Sequence, residues 1–367
     1  MTREISVELQ SVSKLYGTDK VVDEVSLTIE KGEIFVLIGP SGCGKTTTLK
    51  MINQLIPHTS GQILVNGVDV TKLDAVELRR SIGYVIQYIG LLPHLTIQEN
   101  ITFVLQLKKC SKKEQKERAH ELIETVGLPV SYLKRYPREL SGGQQQRVGV
   151  ARALAANPEI LLMDEPFGAV DPLTREQLQN ELLRLQETIQ KTIVFVTHDM
   201  QEAFKVGNRI GILRQGKLVC LGTAMEIVKS ADEFVQNFIG QGALFEVLDT
   251  IPISRVMQNN VPSISENGIV KRDGDQINGW ENVFVLDAKG ACLGLVPLAE
   301  LGPDGAVSPE KIHPLPPGYP PGISVKQAVE KMLWGGRTWL PVVSDEGHFM
   351  GIVTFQSCAG LLFQERR

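Results

Sequence analysis

The chain has 367 residues, of which 43% are hydrophobic, and a formal net charge of −4. This length suggests two domains, or one large domain with an appendage, and the apolar content is sufficient for ordinary soluble cores. The slightly acidic balance gives no support to non-specific nucleic-acid binding, so we expect no nucleic-acid partner.

Cysteine usage and the N-terminal stretch exclude several further classes. Five cysteines are scattered along the chain without a CxxC pair, so neither a zinc site nor a disulfide framework is indicated. The opening residues MTREISVELQ contain no apolar run, and we therefore expect no signal peptide. No apolar stretch reaches the length that spans a bilayer. If the protein works at a membrane, we expect it to be peripheral.

The first elements in chain order are predicted to be strands. ISVELQSVSKLY and VVDEVSLTIEKGE alternate apolar and polar residues, as half-buried strands do. IFVLIG is a continuous apolar run, which is typical of a strand buried on both faces. A helix, TTTLKMINQLI, comes next, and SGQILVNGVDV then predicts a hairpin that turns at Asn66-Gly67.

Helices and buried strands alternate in the middle of the chain. SKKEQKERAHELIETV and GQQQRVGVARALAANP predict two helices, and REQLQNELLRLQETI predicts an amphipathic one. Between and after them lie two further apolar strands, EILLMDEP and KTIVFVTHD. Alternation of this kind predicts an α/β fold, with a mostly parallel sheet that helices cover on both faces.

The stretch GPSGCGKTT has the pattern of a phosphate-binding loop, because it follows a predicted strand and opens a predicted helix. Its glycines let successive backbone N–H groups converge on phosphate oxygens, and the helix N-terminus adds its positive dipole end. We expect Lys45 to reach the β- and γ-phosphates of a nucleotide and the Thr46 hydroxyl to bind Mg²⁺. The nucleotide-binding residues predicted here are Gly39, Ser41, Gly42, Cys43, Gly44, Lys45, Thr46 and Thr47.

Two acids end the apolar strand EILLMDEP. Burying carboxylates at the end of a strand costs free energy unless they have partners, such as a metal ion and the nucleophile of a reaction. Asp164 is therefore predicted to hold Mg²⁺ through water, and Glu165 to polarise the attacking water as a general base.

Three other residues are weaker candidates. His198, at the end of KTIVFVTHD, can hydrogen-bond a γ-phosphate and the attacking water. Taken alone, a histidine there is more often a satisfied residue at the edge of a core, and the surrounding motifs favour the catalytic role. Gln87 follows an apolar strand, and its neutral amide can coordinate Mg²⁺ or water and still swing away. Tyr16 can stack on an adenine, with plain surface packing as the alternative.

The order of these motifs resembles that of the nucleotide-binding subunit of an ABC transporter across roughly residues 1–240. In chain order they are Tyr16, the glycine loop, Gln87, LSGGQQQR, ILLMDEP, GAVD and His198. The resemblance implies an ATPase domain with a mixed-sheet core and a helical subdomain, with ATP and Mg²⁺ as its ligands.

The resemblance further implies that two such domains pair head to tail. ATP then lies between the glycine loop of one copy and Ser141, Gly142, Gly143 and Gln144 of the other, and Asp171 lies at the dimer interface. Ser141 is suited to cap the helix that follows it, and Gly142 lets backbone N–H groups meet a γ-phosphate. Since the chain has one such set of motifs, a homodimer is expected, docked under transmembrane permease subunits on the cytoplasmic face of the membrane.

The amino-acid sequence in and around these motifs is similar to that of the ATPase of osmoprotectant importers. Those importers take up quaternary amines such as glycine betaine, carnitine or choline. That resemblance implies an indirect partnership with a substrate-binding protein. Importers of methionine, polyamines or metals share near-identical catalytic motifs, so the ATPase of another ABC importer remains open. A soluble ABC ATPase that is not tied to a permease is a further alternative.

Residues 241–367 are predicted to form a second, smaller α+β domain. NVFVLDAKGACLGLVPLAEL and TWLPVVSDEGHFMGIVTFQSC resemble each other, which indicates an internal repeat at about 249–302 and 312–363. The arrangement resembles a tandem CBS module with a degenerate first half that lacks the expected amphipathic helix. Pro297, Glu300 and Ser357 depart from the nucleotide-binding pattern of such modules, in which only Thr354 is kept. Structural, dimerising, ionic-strength-sensing and cyclic-dinucleotide-binding roles stay open.

Overall fold

The structure, a computed structural model, describes residues 4–87, 90–168, 170–240, 242–265, 280–300 and 307–363. The chain divides into two units, residues 1–244 and 245–367. The helix Ala243–Thr250 includes the residues on both sides of this division. Within the described ranges, no helix is both long enough and apolar enough to cross a bilayer.

The first unit contains two sheets and the helices that pack on them. Its strands are β1 Ile5–Tyr16, β2 Asp19–Glu30, β3 Ile34–Ile38, β4 Ser60–Val65, β5 Val68–Asp69, β6 Ile82–Val85, β7 Ile160–Asp164, β8 Thr192–Val196, β9 Arg209–Arg214 and β10 Lys217–Gly222. Its helices are α1 Lys45–Ile52, α2 Ala75–Ser81, α3 Ile97–Leu107, α4 Lys112–Thr125, α5 Gly142–Leu154, α6 Pro172–Ile189, α7 Met200–Val206, α8 Ala224–Val228 and α9 Glu233–Ile239, followed by α10 Ala243–Thr250.

The larger sheet has the strand order β10-β9-β3-β8-β7-β6. All neighbouring pairs are parallel except β10 with β9, which is antiparallel. Every residue of β3, β7 and β8 is buried, because helices such as α1 and α7 pack against these strands. The carboxyl ends of parallel strands share one edge of a sheet, so the residues that follow these three strands are brought together.

The smaller sheet is antiparallel, with the order β2-β1-β4-β5. Its last hairpin turns at Asn66 and Gly67, which have φ angles of 49° and 76°. Positive φ at both central residues suits the twist of a two-residue hairpin, and this turn lies where the sequence predicted it. Apolar residues of β1, β2, β3 and α1 form the core shared by the two sheets.

The helices α3, α4 and α5 form a separate packed group between β6 and β7 in the chain. Each begins with a reciprocal capping box, at Thr96, Ser111 and Ser141, in which the cap and a residue three positions later satisfy each other's backbone N–H groups. The mixed sheet and this helical group confirm the predicted α/β class and architecture of the first unit. Helix α3 was not predicted, although Thr96 and Glu99 have the spacing of a capping box in the sequence.

The second unit is smaller, and its described residues combine short strands with α11, α12 and the greater part of α10. Its elements are β11 Ser263–Ser265, β12 Asn282–Leu286, β13 Cys292–Pro297, α11 Val325–Trp334, β14 Trp339–Val343, β15 Phe349–Thr354 and α12 Phe355–Phe363. An aromatic cluster joins its two strand groups: the Phe284 ring lies 5.6 Å from the Trp339 ring and 4.9 Å from the Phe349 ring, centroid to centroid.

The hairpins β12–β13 and β14–β15 share one turn geometry. Gly290 and Gly347 have φ angles of 82° and 84°. Asp287 and Ser344 each donate a backbone N–H across the turn, at 2.9 and 2.8 Å. The two hairpins are therefore alike in backbone as well as in sequence.

The second glycine of each hairpin allows another segment to cross close by. A Cβ added at Gly294 would lie 2.4 Å from the carbonyl oxygen of His313, and one at Gly351 would lie 2.3 Å from that of Gln258. The identification of this unit as a tandem CBS module stays a prediction. The segment 266–279, where the first half is predicted to lack a helix, lies outside the described residues.

Candidate functional site

The glycine loop between β3 and α1 has a backbone that other residues cannot adopt. Gly39 and Gly44 have φ angles of 155° and 105°. A Cβ at Gly39 would lie 2.2 Å from the Leu213 carbonyl oxygen, and one at Gly44 would lie 2.5 Å from that of Val21. A Cβ at Gly42 would meet nothing within 4 Å. The loop is thus packed tightly against the fold on one side and open on the other.

Lys45 is folded back over this loop. Its Nζ donates to the carbonyl oxygens of Gly39 at 2.8 Å and Pro40 at 3.0 Å. The side chain is buried, so the loop carries a positive charge that is poorly screened by water. An anion held by the open side of the loop would be attracted to it.

Thr46 and Asp164 meet across the ends of neighbouring elements. The Thr46 hydroxyl donates to Oδ1 of Asp164 at 2.8 Å, and the Tyr84 hydroxyl lies 3.4 Å from Oδ2. Burial, and then the Asp164 charge, raise the pKa of Tyr84, so this phenol stays protonated and acts as a donor. Tyr84 was not recognised from the sequence, because a tyrosine in an apolar strand gives no separate signal.

Glu165 lies at the centre of a second contact group. Its Oε2 accepts a hydrogen bond from Gln87 Nε2 at 2.8 Å, and its Oε1 lies 3.1 Å from His198 Nδ1. The residue has a φ of 45°, and its N–H donates to the Val196 carbonyl oxygen at 2.8 Å. This bond ties the end of β7 to the end of β8, which His198 follows. Gln87 reaches the same carboxylate from the end of β6, the strand on the other side of β7.

A cavity of about 590 Å³ joins these groups. Its volume lies within the range of about 300–1,000 Å³ that is typical of small-molecule sites. Besides Val21, which the sequence did not indicate, its lining consists of predicted residues: Ser41, Gly42, Gly44, Lys45, Thr46, Thr47, Gln87, Glu165 and His198.

Among the residues predicted to bind the nucleotide or Mg²⁺ within one chain, four lie outside that lining. Asp164 is buried beneath it and touches it through Thr46. Gly39 and Cys43 support the loop from behind, with Cys43 Sγ 3.8 Å from Lys45 Nζ. Tyr16 is exposed at the end of β1, where Lys14 Nζ lies 4.9 Å from its ring centroid. Its predicted contact with adenine stays a prediction.

The oxygen donors around the loop fit a hard divalent cation. Mg²⁺ in proteins usually takes one or two carboxylates together with water and substrate phosphates. Thr46 and Asp164 supply a hydroxyl and a carboxylate side by side, and the bond from Gln87 uses its amide nitrogen and not its carbonyl oxygen. In the described part of the chain there is no cluster of three or more His, Cys, Asp or Glu that would form an all-protein cage.

The segment LSGGQQQR, residues 140–147 and here called the signature segment, opens helix α5. Ser141 caps the helix: Gln144 N–H donates to the Ser141 hydroxyl at 3.4 Å, and Ser141 N–H donates to Gln144 Oε1 at 3.0 Å. Gly142 is exposed, whereas Gly143 is buried, with an added Cβ 2.7 Å from Thr174 Cγ2. No residue of the signature segment is among the residues that line the 590 Å³ cavity.

Asp171 caps helix α6. Its Oδ1 accepts the Thr174 N–H at 3.0 Å, and the residue is exposed. Because Thr174 also contacts Gly143, the start of α6 and the start of α5 are packed together. Within the predicted motif GAVD, Ala169 lies outside the described residues.

A polar cluster behind His198 was missed by the sequence analysis. Arg175 Nη1 lies 3.1 Å from Asp199 Oδ2, and its Nε lies 3.6 Å from Glu202 Oε1. The Thr197 hydroxyl donates to Glu202 Oε2 at 2.6 Å and accepts the Asp199 N–H at 3.0 Å. Both chain neighbours of His198 are therefore fixed to α6 and α7.

Burial raises the pKa of the Glu202 carboxyl, although its hydrogen bond from Thr197 acts in the opposite direction. A folded-state pKa above the unfolded value means that the unfolded chain holds fewer protons, so this group's contribution to stability falls as the pH rises through that interval. Replacing Glu202 by glutamine should remove this loss. At each pH, the midpoint temperature of thermal unfolding of Glu202→Gln can be compared with that of the unsubstituted chain. We expect the difference, variant minus unsubstituted chain, to increase from about pH 5 to about pH 7.5.

Thermal unfolding of the two proteins at both pH values, without nucleotide, measures this effect. Glu187→Gln, an exposed change on α6, is the matched control and should show no such trend. A relative midpoint for Glu202→Gln that falls with pH would contradict the assignment of a raised pKa.

A glycine loop is followed by a lysine at the start of a helix, and two acids at the end of another parallel strand of the same sheet face this loop. This is the arrangement of a P-loop nucleoside triphosphatase. A family model described as ABC transporter matches residues 22–168. The dimeric structure of a post-hydrolysis state of the ATP-binding cassette MJ0796, bound to ADP and phosphate, is 38% identical, with a TM-score of 0.54, and covers 59% of this chain and 98% of that one.

Two curated relatives extend over nearly the whole chain. The glycine betaine/carnitine/choline transport ATP-binding protein of Bacillus subtilis is 44% identical, covering 97% of this chain and 96% of its own length. The osmoprotectant import ATP-binding protein of Salmonella typhimurium is 42% identical, covering 97% and 95%. The chain belongs to the ATP-binding subunits of ABC transporters. It binds ATP with Mg²⁺ and hydrolyses ATP to drive transport.

Proposed function

We propose that this chain is the ATPase subunit of an importer for a quaternary amine osmoprotectant such as glycine betaine, carnitine or choline. The support is the similarity to relatives with those names over 97% of the chain, which includes the second unit as well as the ATPase unit. The nucleotide site gives no information about the transported molecule, because in the proposed importer this subunit binds ATP and not the transported substrate.

In the proposed catalytic roles, Glu165 is the general base. Its carboxylate accepts a proton from the attacking water, whose oxygen bonds to the γ-phosphorus as the bond to the leaving ADP oxygen breaks. His198 and Gln87 hold the two carboxylate oxygens in place, at 3.1 and 2.8 Å. Lys45 and the loop N–H groups balance the phosphate charge, and Thr46, Asp164 and the Gln87 carbonyl oxygen are the groups that would hold Mg²⁺, which neutralises phosphate charge when bound.

The observation that carries the proposed assembly is the separation of the signature segment from its own chain's cavity. Ser141 and Gly142 are exposed, form an ordered helix start and line no part of that cavity. A helix N-terminus with an exposed glycine is suited to an anion. We therefore propose that Ser141, Gly142, Gly143 and Gln144 close on ATP bound to a second copy, head to tail, with Asp171 at the interface.

In the proposed transporter, this homodimer docks under transmembrane permease subunits at the cytoplasmic face of the membrane, as a peripheral protein. A substrate-binding protein delivers the osmoprotectant to the permease and meets this chain only indirectly. ATP closes the dimer because it bridges two protein surfaces, and hydrolysis removes the bridging γ-phosphate contact.

The second unit is proposed to be a CBS-like module that regulates transport. Its two similar hairpins support an internal duplication. Thr354 and Ser357 bond to each other, since Ser357 N–H donates to Thr354 Oγ1 at 2.9 Å and Thr354 N–H donates to Ser357 Oγ at 3.1 Å. With these groups engaged locally and Pro297 and Glu300 at the corresponding positions, a usual adenine-nucleotide contact is not favoured.

Uptake by the assembled transporter tests the substrate. Cells without other osmoprotectant uptake, supplied with this chain, its permease and its binding protein, should accumulate labelled glycine betaine, carnitine or choline. The same cells carrying Glu165→Gln should lose this uptake. Accumulation of labelled methionine or a polyamine, with no uptake of quaternary amines, would overturn the substrate assignment and leave the ATPase assignment intact.

A further inference from the structure

The first unit has a second cavity, of about 580 Å³, on the seam between α5 and α6. It shares no lining residue with the nucleotide cavity. Small-molecule sites are usually of this size, lined by apolar side chains with a few polar groups. Apolar side chains from α5, β7, α6 and the connection between β7 and α6 supply most of the wall, among them Val150, Met163, Phe167, Leu178, Leu182 and Leu185.

The charged side chains at this cavity are Arg147, Arg184 and Glu181, so its lining carries one excess positive charge. The carboxylate of Glu181 is already paired with Arg147, at 2.5 Å. The guanidinium of Arg184, exposed at the mouth, has no ionic partner or acceptor within the described ranges. Gln146 is 2% exposed, and its Nε2 likewise lacks an acceptor among described residues. A ligand that complements this cavity therefore brings an acceptor, and a negative charge suits Arg184 best.

We propose that this cavity is a regulatory binding site for a small amphipathic carboxylate, with its apolar body along the α5–α6 seam and its carboxylate beside Arg184. The site goes beyond nucleotide binding and does not depend on which substrate the transporter carries. Regulation follows from its position. Helix α5 begins at the signature segment, α6 begins at the Asp171 cap, and Phe167 lies two residues beyond Glu165. A ligand bound between α5 and α6 shifts the equilibrium between different relative positions of these two helices.

Calorimetric titration of the full chain with decanoate tests binding, with decanol and decyltrimethylammonium as probes of the same chain length. We expect saturable binding of decanoate with a Kd below about 1 mM, at least about tenfold tighter than that of the cation. Arg184→Glu should reverse or abolish this preference. Arg79→Glu, the same charge change at an exposed site on α2, should leave it unchanged.

Val150→Trp adds a large side chain inside the cavity and should abolish binding of all three probes. Since that variant can lose stability, Arg184→Glu, a change at an exposed position, provides a second test that does not disturb the core. Absence of saturable decanoate binding, or equal binding by Arg184→Glu, would overturn the site.

ATP turnover at increasing decanoate concentration tests regulation. We expect turnover to change at least about twofold, with the same midpoint as binding, and this response should vanish in Val150→Trp. Unchanged turnover at full occupancy would overturn the regulatory role. Because turnover without decanoate is measured in the same series, a failed ATPase assignment would be recognised separately.

Discussion

Glu165→Gln is expected to stop ATP hydrolysis while holding two chains together around bound ATP. Glutamine keeps the size of the side chain, and its carbonyl oxygen can still accept the hydrogen bond from Gln87. It has no basic oxygen to accept a proton from water, so we expect turnover to fall by about 10²- to 10⁴-fold. ATP that is bound but not cleaved keeps its bridging contact, and the dimer persists.

Turnover and molar mass are the two measurements that check this result. Light scattering after size exclusion should give a dimer for Glu165→Gln with saturating MgATP and a monomer with ADP. Glu117→Gln, at an exposed glutamate on α4, is the matched control and should behave like the unsubstituted chain. A Glu165→Gln chain with near-normal turnover would exclude Glu165 as the general base, and a monomer with ATP, even beside the permease, would contradict the dimer.

The nucleotide cavity was largely predictable from sequence because its residues sit in short motifs at strand ends. β3, residues 160–163 of β7 and residues 193–196 of β8 are continuous apolar runs, and polar residues follow each of them. Once the sheet is inferred to be parallel, Lys45, Glu165 and His198 must share one edge. The structure brings the last two within 3.1 Å.

Contacts between elements with no motif of their own were not predictable. The cluster of Arg175, Asp199 and Glu202 depends on how α6 packs against α7, and a charged residue on an amphipathic helix usually faces solvent. Tyr84 is one apolar-strand residue among several until its hydroxyl is seen 3.4 Å from Asp164. The α5–α6 cavity could not be predicted either. Sequence periodicity shows which face of a helix is apolar, but not how completely two packed faces fill the space between them.

The signature segment could be predicted as a motif, but the structure distinguishes its two glycines. An added side chain at Gly143 would collide with Thr174, so a substitution there also disturbs the packing of α5 on α6. Gly142 has open space around it and lies in the first turn of α5. An aspartate in the first turn interacts favourably with the helix dipole, so Gly142→Asp should fold normally. Its charge would repel a γ-phosphate brought by a second copy.

We therefore expect Gly142→Asp to bind ATP normally and to lose turnover, and Lys45→Ala to be inactive because its loop lacks the ammonium group. A mixture of the two inactive proteins decides which chain each motif serves. If the signature segment acts across the dimer, a heterodimer has one site with Lys45 and Gly142 both intact and one site with both changed. Random pairing makes about half of the dimers mixed, so an equimolar mixture should recover about a quarter of normal turnover.

A signature segment that serves its own chain's ATP makes the opposite prediction for the same mixture. Each chain would then carry one defect in its own site, and no pairing would restore an intact site. Turnover that stays at the level of the separate variants would therefore contradict the head-to-tail arrangement. Retained ATP binding by Gly142→Asp, measured by titration, is needed alongside, because a chain that loses binding through misfolding also gives an inactive mixture. Recovery of turnover cannot arise from misfolding, which makes it the stronger of the two outcomes.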